Sequence, residues 1–165
     1  MQKELENIGR RINALLDREK LPGQLGLDIL SQAVSAYPAR GGKRLRPALV
    51  YWFCGLMGGE PKRADHAALA VELFHNWTLI HDDIIDEDAT RRGAPSCHAL
   101  IAGAAAPRFA GNSASASVYG RNLAILAGDV VQSWSIEVLS RAEDDGVPPA
   151  VPVDGQGLNP LLRHP

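Results

Sequence analysis

Apolar residues recur along most of the chain at intervals of three and four, and this spacing constrains the fold more than any other feature. It begins with Leu5, Ile8, Ile12 and Leu15. These side chains lie on one face of a helix because an α-helix turns once every 3.6 residues. No segment alternates apolar and polar residues as a half-buried strand does. The pattern therefore predicts an all-α fold.

Prolines and glycines divide this pattern into separate helices. The expected helices cover about residues 5–20, 27–37, 47–57, 61–88 and 118–141. The helix that opens at Pro61 is expected to be the longest and to be largely buried. The alanine- and serine-rich segment at residues 101–117 indicates a flexible connection between the last two helices.

The character of the sequence changes after Ala142. Residues 143–165 are rich in proline and glycine and have no sustained helical or strand period. A length of 165 residues, a hydrophobic fraction of 45% and a formal net charge of −2 are typical of one soluble globular domain and do not favour a nucleic-acid binder. We predict a helical domain over residues 1–142 and a disordered or non-native tail over residues 143–165.

The cysteines and the amino terminus bear on the cellular compartment. Cys54 and Cys97 lie far apart and lack the paired spacing of a zinc or redox site. The amino-terminal residues contain no apolar signal region, and no uninterrupted apolar run is long enough to cross a bilayer. These features predict a cytoplasmic protein without a transmembrane segment.

The motif HDDIIDEDATRRG places five carboxylates within seven residues. On the expected helix His75, Asp82 and Asp86 share one face. Like charges one turn apart near a helix carboxyl end repel each other and oppose the helix dipole, so a cation should offset them. Mg²⁺ prefers carboxylate oxygens and often completes its shell with phosphate oxygens. The motif predicts a magnesium-diphosphate site; a solvated helix end beside Arg91 and Arg92 is the alternative.

A second charged motif, ARGGKRLRPAL, directly precedes an expected helix. Its cations are Arg40, Lys43, Arg44 and Arg46, and they surround two glycines. Backbone amides, a helix amino end and these cations can converge on a phosphate. The motif is not a P-loop, because the GxxxxGK[ST] pattern is absent. Alone it would more often be a solvated turn, so its interpretation as a phosphate site depends on the acidic motif.

In this order and near this spacing, GGKRLRP, ELFHNWTLIHDDIIDED and RRG resemble the trans-isoprenyl diphosphate synthases, also called polyprenyl synthetases. NLAILAGD resembles a further helix of that family. The resemblance implies an all-α, isoprenoid-synthase-type bundle around a deep apolar cavity. It also implies that the protein is a prenyltransferase, which condenses isopentenyl diphosphate head-to-tail with an allylic diphosphate.

The likeness covers the amino-terminal half of the family, over residues 1–142. Family members are considerably longer and carry a second aspartate-rich motif on a later helix. The bundle is therefore expected to be truncated after the first such motif and the following helix. Losing the second motif would remove much of the stabilisation of the departing diphosphate, so the chain is expected to have little activity.

The resemblance further implies roles for individual residues. Asp82 and Asp86 would ligate the Mg²⁺ that binds the allylic diphosphate, with Asp83 supporting them. Isopentenyl diphosphate would be held by Lys43, Arg46, His75 and Arg92, and the allylic diphosphate would be contacted by Arg91.

The residues just before the acidic motif, Trp77 and Thr78, would help to set the product length. A tryptophan there would cap the cavity early and favour a product of the geranyl, farnesyl or geranylgeranyl class. A core or dimer-interface role for Trp77 is an equally good interpretation.

Two other functions remain open. The chain could be a non-catalytic subunit that binds a full-length prenyl synthase, and either a homodimer or such a heteromer is expected. A metal-dependent phosphohydrolase built on His81 and Asp82 ranks third. It would need further histidine and aspartate ligands on separate helices, and it leaves GGKRLRP unexplained.

Overall fold

A computed structural model describes residues 2–143, and this part of the chain is almost entirely helical. The helices are α1 (Gln2–Leu16), α2 (Leu21–Gln24), α3 (Asp28–Ala39), α4 (Leu45–Leu56), α5 (Asp65–Ile85), α6 (Cys97–Ala105) and α7 (Ser113–Ser140). Short 3₁₀ turns cover Pro61–Ala64, Ala106–Phe109 and Arg141–Glu143. The prediction of an all-α fold is confirmed.

A small antiparallel hairpin follows α5. Its strands are β1 (Thr90–Arg91) and β2 (Ala94–Pro95), with Arg91 opposite Ala94. Strands of two residues are too short to alternate apolar and polar side chains, so the sequence pattern could not indicate them. The hairpin carries the arginine pair of the RRG motif.

The core lies where α5 and α7 pack along each other, with α6 and α3 against α7 and α4 against α5. Leu73 and Ile80 of α5 are fully buried, as are Ala124, Val131 and Val138 of α7. These positions recur at helical spacing on each helix, as the periodicity requires. The packing holds the carboxyl end of α5 in a fixed place beside the hairpin.

Glycines on α7 allow its neighbours to approach the helix backbone closely. A Cβ atom at Gly120 would lie 2.5 Å from the carbonyl oxygen of His98 and 2.8 Å from the Cβ of Ala102. One at Gly128 would overlap the imidazole ring of His81 on α5. Only glycine fits these positions without a shift of the neighbouring helices.

The prediction of a flexible connection at residues 101–117 is wrong. Alanine is the strongest helix former, and Ile101 and Ala105 of α6 are buried against the core. α7 also begins earlier than expected, because the side chain of Asn112 accepts a hydrogen bond from the amide of Ser115 at 3.0 Å and caps the helix. The low-complexity segment is therefore largely a packing surface.

Several helix boundaries in the structure also differ from the predicted ones. α3 continues through Pro38 rather than ending before it. The helix expected from Pro61 is a 3₁₀ turn followed by α5, and α7 is longer than α5 at 28 residues against 21. α5 ends at Ile85, and Glu87 has a positive φ of 57°. The last carboxylates of the acidic motif thus lie beyond the helix.

By length and composition alone, α7 could cross a membrane, and no other helix in residues 2–143 meets that test. A core helix of a soluble protein meets it equally well, and α7 packs against α5 and α6. The expected absence of a transmembrane segment stays a prediction. So does the domain boundary after Ala142, because residues 144–165 lie outside the described part of the chain.

Candidate functional site

The basic loop between α3 and α4 directs one of its arginines into the protein. Arg44 is buried and donates to the carboxylate of Glu72 on α5 at 2.5 Å. It also donates to the carbonyl of Pro38 at 2.8 Å and to the side chain of Asn13 at 3.0 Å. A left-handed backbone conformation at Arg44, with φ of 49°, accompanies this inward orientation. Arg44 therefore fastens the loop to α5.

The outward cations of the same loop share one cleft with residues from α5 and the hairpin. This cleft, of about 390 Å³, is lined by Lys43, Arg46, His75 and Arg92, with Arg44 and Glu72 in its wall. Lys43 and Arg46 are exposed. The four residues to which the family resemblance assigns isopentenyl diphosphate are thus neighbours, although they come from three segments of the chain.

His75 is half-buried in this cleft. Burial lowers the pKa of His75, and the nearby guanidinium groups of Arg46 and Arg92 lower it further. The carboxylates of Glu72 and Asp82 oppose the shift. The imidazole is therefore predominantly neutral near pH 7 and can take up a proton when an anion arrives.

The two adjacent aspartates at the end of α5 have opposite environments. Asp82 is exposed, whereas Asp83 is fully buried. Asp83 accepts hydrogen bonds from the hydroxyl of Tyr37 and from the guanidinium of Arg91, whose Nε lies at 2.7 Å. A buried carboxylate needs such partners because it has lost its hydration.

Tyr37 joins four segments around Asp83. Its hydroxyl accepts a hydrogen bond from the amide of Cys97 at 3.0 Å and donates to Asp83. Burial, aided by the Asp83 carboxylate, raises the pKa of Tyr37, so the hydroxyl keeps its proton. The guanidinium of Arg40 lies 5.4 Å from the centre of the Tyr37 ring and donates to the carbonyl of Pro95 at 2.7 Å. Sequence reasoning missed Tyr37; its only signal is an aromatic residue on the apolar face of α3.

Each charged motif of the site contains a pair of adjacent like charges, of which one points inward and one outward. The inward members are Arg44, Asp83 and Arg91, and the outward members are Lys43, Asp82 and Arg92. Successive residues in a helix or a loop point in different directions, so both members of a pair seldom face the same way. The many charged residues of HDDIIDEDATRRG therefore have two roles. Some form an internal ion pair, and others form a surface that can face a ligand.

Arg91 is one of the residues that the family resemblance assigns to the allylic diphosphate. Its guanidinium is bound to Asp83 and lies 3.4 Å from the carboxylate of Asp88. The side chain is 29% exposed, so a ligand could still reach it. Its role at a diphosphate stays a prediction, and any such contact would be shared with Asp83.

The carboxylates of Asp82 and Asp86 form the candidate magnesium site. Both are exposed, and the amide of Asp86 donates to the carbonyl of Asp82 at 2.8 Å, so the two residues stand one turn apart. Within residues 2–143 no group of three histidine, cysteine, aspartate or glutamate side chains could hold a metal ion. Two hard oxygen ligands suit Mg²⁺ that keeps waters and binds phosphate oxygens, whereas a cage built entirely from protein ligands needs more.

The lack of a three-ligand metal group among the described residues also bears on the hypothesis of a metal-dependent phosphohydrolase. His81 contacts its own helix and α7, with its Nδ1 3.2 Å from the carbonyl of Trp77 on α5 and its Nε2 3.6 Å from the carboxylate of Asp129 on α7. Although Asp129 lies beside His81, no three histidine, cysteine, aspartate or glutamate side chains of the described residues form a group that could hold a metal ion. The geometry gives that hypothesis no support.

Trp77 and Thr78 lie in the last turns of α5 before Asp82, and both are half-buried. The ring of Trp77 packs edge-on against Phe74 at 4.8 Å and against His81 at 5.7 Å between ring centres. Its indole N–H is buried without an acceptor among the described residues. The hydroxyl of Thr78 donates to the carbonyl of His75 at 2.8 Å. Their role in product length stays a prediction.

Comparison with known proteins decides the family. The family model described as polyprenyl synthetase matches residues 27–151, which include every motif discussed above. The chain belongs to the polyprenyl synthetase family. The resemblance inferred from GGKRLRP, the acidic motif and RRG is thereby confirmed.

Individual relatives of this chain are considerably longer than it is. It is 35% identical over 136 residues to the geranylgeranyl pyrophosphate synthase of Geoglobus acetivorans, with 82% of this chain and 35% of that protein covered. It is 39% identical over 109 residues to the heterodimeric geranylgeranyl pyrophosphate synthase large subunit 1 of Arabidopsis thaliana, with coverages of 65% and 24%. The chain thus spans less than half the length of these relatives.

A solved structure supports the fold of this chain directly. The geranylgeranyl pyrophosphate synthase from Corynebacterium glutamicum, in complex with isoprenyl diphosphate and magnesium, superposes with a TM-score of 0.66 at 28% identity. The match covers 86% of this chain and 42% of that one. The helical arrangement of residues 2–143 is therefore that of an isoprenoid synthase.

Proposed function

We propose that this chain takes part in isoprenoid biosynthesis as a prenyltransferase that joins isopentenyl diphosphate head-to-tail to an allylic diphosphate. The observation that carries the proposal is the cleft that gathers Lys43, Arg46, His75 and Arg92. Asp82 lies close enough to this cleft to influence the pKa of His75. A polyanion and a metal-bound polyanion could therefore lie side by side, which a two-diphosphate condensation requires.

The two charged regions would hold the two ligands. The cations of the cleft would bind the diphosphate of isopentenyl diphosphate, as charge-assisted hydrogen bonds to phosphate are strong. Asp82 and Asp86 would hold Mg²⁺, which neutralises negative charge on a departing allylic diphosphate. Asp83 would support them through its buried partners, and Arg91 would add a contact to the allylic diphosphate. No side-chain nucleophile is needed, since loss of diphosphate would leave a carbocation that the double bond of isopentenyl diphosphate attacks, and the condensed cation would then lose a proton to restore a double bond.

The apolar part of α5 would contact the hydrocarbon. Phe74 and Trp77 form an aromatic pair before Asp82, and Thr78 lies beside it. We propose that Trp77 and Thr78 limit product length to the geranyl, farnesyl or geranylgeranyl class. The similarity to proteins named geranylgeranyl pyrophosphate synthase supports this range. Two free cysteines support a reducing, cytoplasmic location.

The proposal can be tested by ligand-induced stabilisation of the whole chain. We expect a thiolo analogue of an allylic diphosphate to raise the melting temperature in the presence of Mg²⁺, because a ligand that binds only the folded state stabilises it. Chelation of Mg²⁺ should remove most of the shift. With isopentenyl diphosphate and an allylic diphosphate together, any product should be short. No shift at saturating ligand would contradict the proposal, and a long polyprenyl product would contradict the role of Trp77.

Binding in the cleft should be coupled to protonation of His75. In the free protein burial and two guanidinium groups lower the pKa of His75, whereas a bound anion raises it because it favours the imidazolium. Binding should therefore take up a proton at pH values between the lowered pKa of His75 in the free protein and its raised pKa in the complex, and should tighten as the pH falls through that window.

Titration calorimetry of pyrophosphate binding in buffers of different ionisation enthalpy would measure this proton uptake. Pyrophosphate exchanges protons of its own, so His75→Gln is the matched control: it keeps the exchange of the ligand and removes that of the imidazole. Equal uptake by the wild type and His75→Gln would show that His75 does not face the anion.

A non-catalytic subunit is the second candidate function, and exposed apolar side chains favour it. They include Leu49 and Phe53 on α4, Phe74 and Ile85 on α5, and Leu126 and Ile136 on α7. Where large apolar side chains such as these form a contiguous patch, they commonly mark a contact with another chain. A stoichiometric complex with a full-length homologue, together with an altered product length and no turnover by the chain alone, would support this candidate over the first.

A further inference from the structure

We propose that Tyr37 is a positioning residue that aligns the cationic cleft with the acidic end of α5. The inference rests on the proposed function, since it concerns the same two anion sites. Tyr37 is only 1% exposed and does not line the cleft. It therefore acts through the side chains that it holds.

The hydroxyl of Tyr37 lies between two polar groups that are buried away from water. Asp83 and Cys97 are both fully buried, and the hydroxyl donates to the carboxylate of one and accepts from the amide of the other. Without the hydroxyl, one buried acceptor and one buried donor lose a partner together. The surrounding backbone would shift to restore these hydrogen bonds, because leaving them unsatisfied is costly.

Asp83 links Tyr37 to both anion sites, which are the cationic cleft and the acidic end of α5. Its neighbour along α5 is Asp82, the outward carboxylate of the acidic motif. Its ion-pair partner is Arg91, whose neighbour along the hairpin is Arg92, a cation of the cleft. A displacement of the Asp83 side chain would therefore move a metal ligand and a phosphate ligand relative to each other.

Further contacts join Tyr37 and the basic loop to the hairpin, so that loop, hairpin and α5 form a closed ring of contacts. The guanidinium of Arg40 stacks on Tyr37 and donates to Pro95 at the end of the hairpin. Arg92 donates to the carbonyl of Gly41 in the basic loop. Tyr37 and its partners thus contact loop, hairpin and α5, beside the direct link between Arg44 and Glu72, so the hydroxyl contributes to the spacing of all three.

The chain contains a matched control for this arrangement. The hydroxyl of Tyr51 donates to the carboxylate of Asp65 at 2.7 Å, and Arg11 binds the same carboxylate at 2.6 and 2.9 Å. This second tyrosine–aspartate–arginine group lies at the opposite end of α5 and joins α1, α4 and α5. Burial raises the pKa of Tyr51, as it does for Tyr37. Tyr51→Phe therefore removes the same kind of hydrogen bond away from the anion sites.

The test compares the wild type, Tyr37→Phe and Tyr51→Phe. Pyrophosphate affinity is measured by calorimetry as a function of Mg²⁺ concentration, well below each melting temperature. Both variants should melt earlier than the wild type. Tyr37→Phe should bind Mg²⁺–pyrophosphate about tenfold more weakly and need more Mg²⁺ for half-saturation, because partners of metal ligands control their orientation. Tyr51→Phe should match the wild type in both quantities.

The outcomes separate the inference from the proposed function. If the wild type does not bind pyrophosphate with Mg²⁺, the proposed function and the inference both fail. If the wild type binds and Tyr37→Phe binds equally well, only the inference fails. Equal losses in the two variants would also overturn it, since they would reflect general destabilisation. Should Tyr37→Phe not fold, Arg40→Met opens the same ring at Pro95, and unchanged affinity in that variant would overturn the inference.

Discussion

Asp82→Asn should abolish Mg²⁺-dependent binding of a diphosphate while leaving the fold intact. The side chain is exposed, and asparagine has nearly the same shape, so packing is unaffected. The substitution removes one of two hard oxygen ligands and the charge that attracts the metal. We expect any turnover to fall by about 100-fold or more, as when one electrostatic contact to a transition state is lost, and affinity for Mg²⁺–pyrophosphate to fall by at least the roughly 10- to 100-fold seen when only a partner of a metal ligand is removed. Calorimetry with and without Mg²⁺ measures the effect.

Glu87→Gln is the control for this experiment. It removes the same charge from the same acidic motif at another exposed position. If the metal binds specifically at Asp82 and Asp86, this variant should retain most of the affinity. A loss equal to that of Asp82→Asn would mean that the acidic motif attracts Mg²⁺ only through its general field, and the assignment of metal ligands would then be wrong.

Asp83→Ala should instead destabilise the fold. Removing one member of a buried ion pair leaves its partner without compensation, and such changes cost about 3–5 kcal/mol. Arg91 is 29% exposed and can regain some hydration, so we expect a value near the lower end. Tyr37 loses its acceptor in the same substitution. The free energy of unfolding from urea titration measures the loss.

Asp82→Ala provides the comparison within the same pair of residues. Its carboxylate is exposed near the carboxyl end of α5, where negative charge is unfavourable to the helix dipole. The free energy of unfolding should change by less than about 1 kcal/mol and could rise. Similar losses at the two positions would contradict the division into an inward and an outward aspartate.

Much of the fold follows from periodicity, and the exceptions have identifiable causes. The apolar spacing predicts α1, α3, α4, α5 and α7 to within a few residues at most ends. It fails at α6, because small residues resemble a linker in composition. Only the approach of Ala102 to Gly120 reveals that they pack helix against helix. That proximity is a property of two segments and cannot be recognised from either one.

The candidate site, like the fold, could be predicted only in part from the sequence. Motifs identified the cleft residues and the exposed aspartates, because these types of side chain serve phosphate and Mg²⁺ chemistry directly. Which member of each charged pair points inward depends on partners far along the chain. Glu72 is 28 residues from Arg44, and Tyr37 is 46 residues from Asp83. Tyr37 itself carries no charge and belongs to no motif, so only the three-dimensional arrangement identifies it.

The inward ion pairs also determine the sign of the field that a diphosphate would meet in each region of the site. Arg44 is neutralised by Glu72, and Arg91 by Asp83, so neither pair contributes much to the outer field. What remains is positive at the cleft and negative at the end of α5. A bare diphosphate would be attracted to the first and repelled by the second unless Mg²⁺ offset the aspartate charge there. Occupancy of the two regions would then depend differently on the Mg²⁺ concentration, since only the second would need the metal.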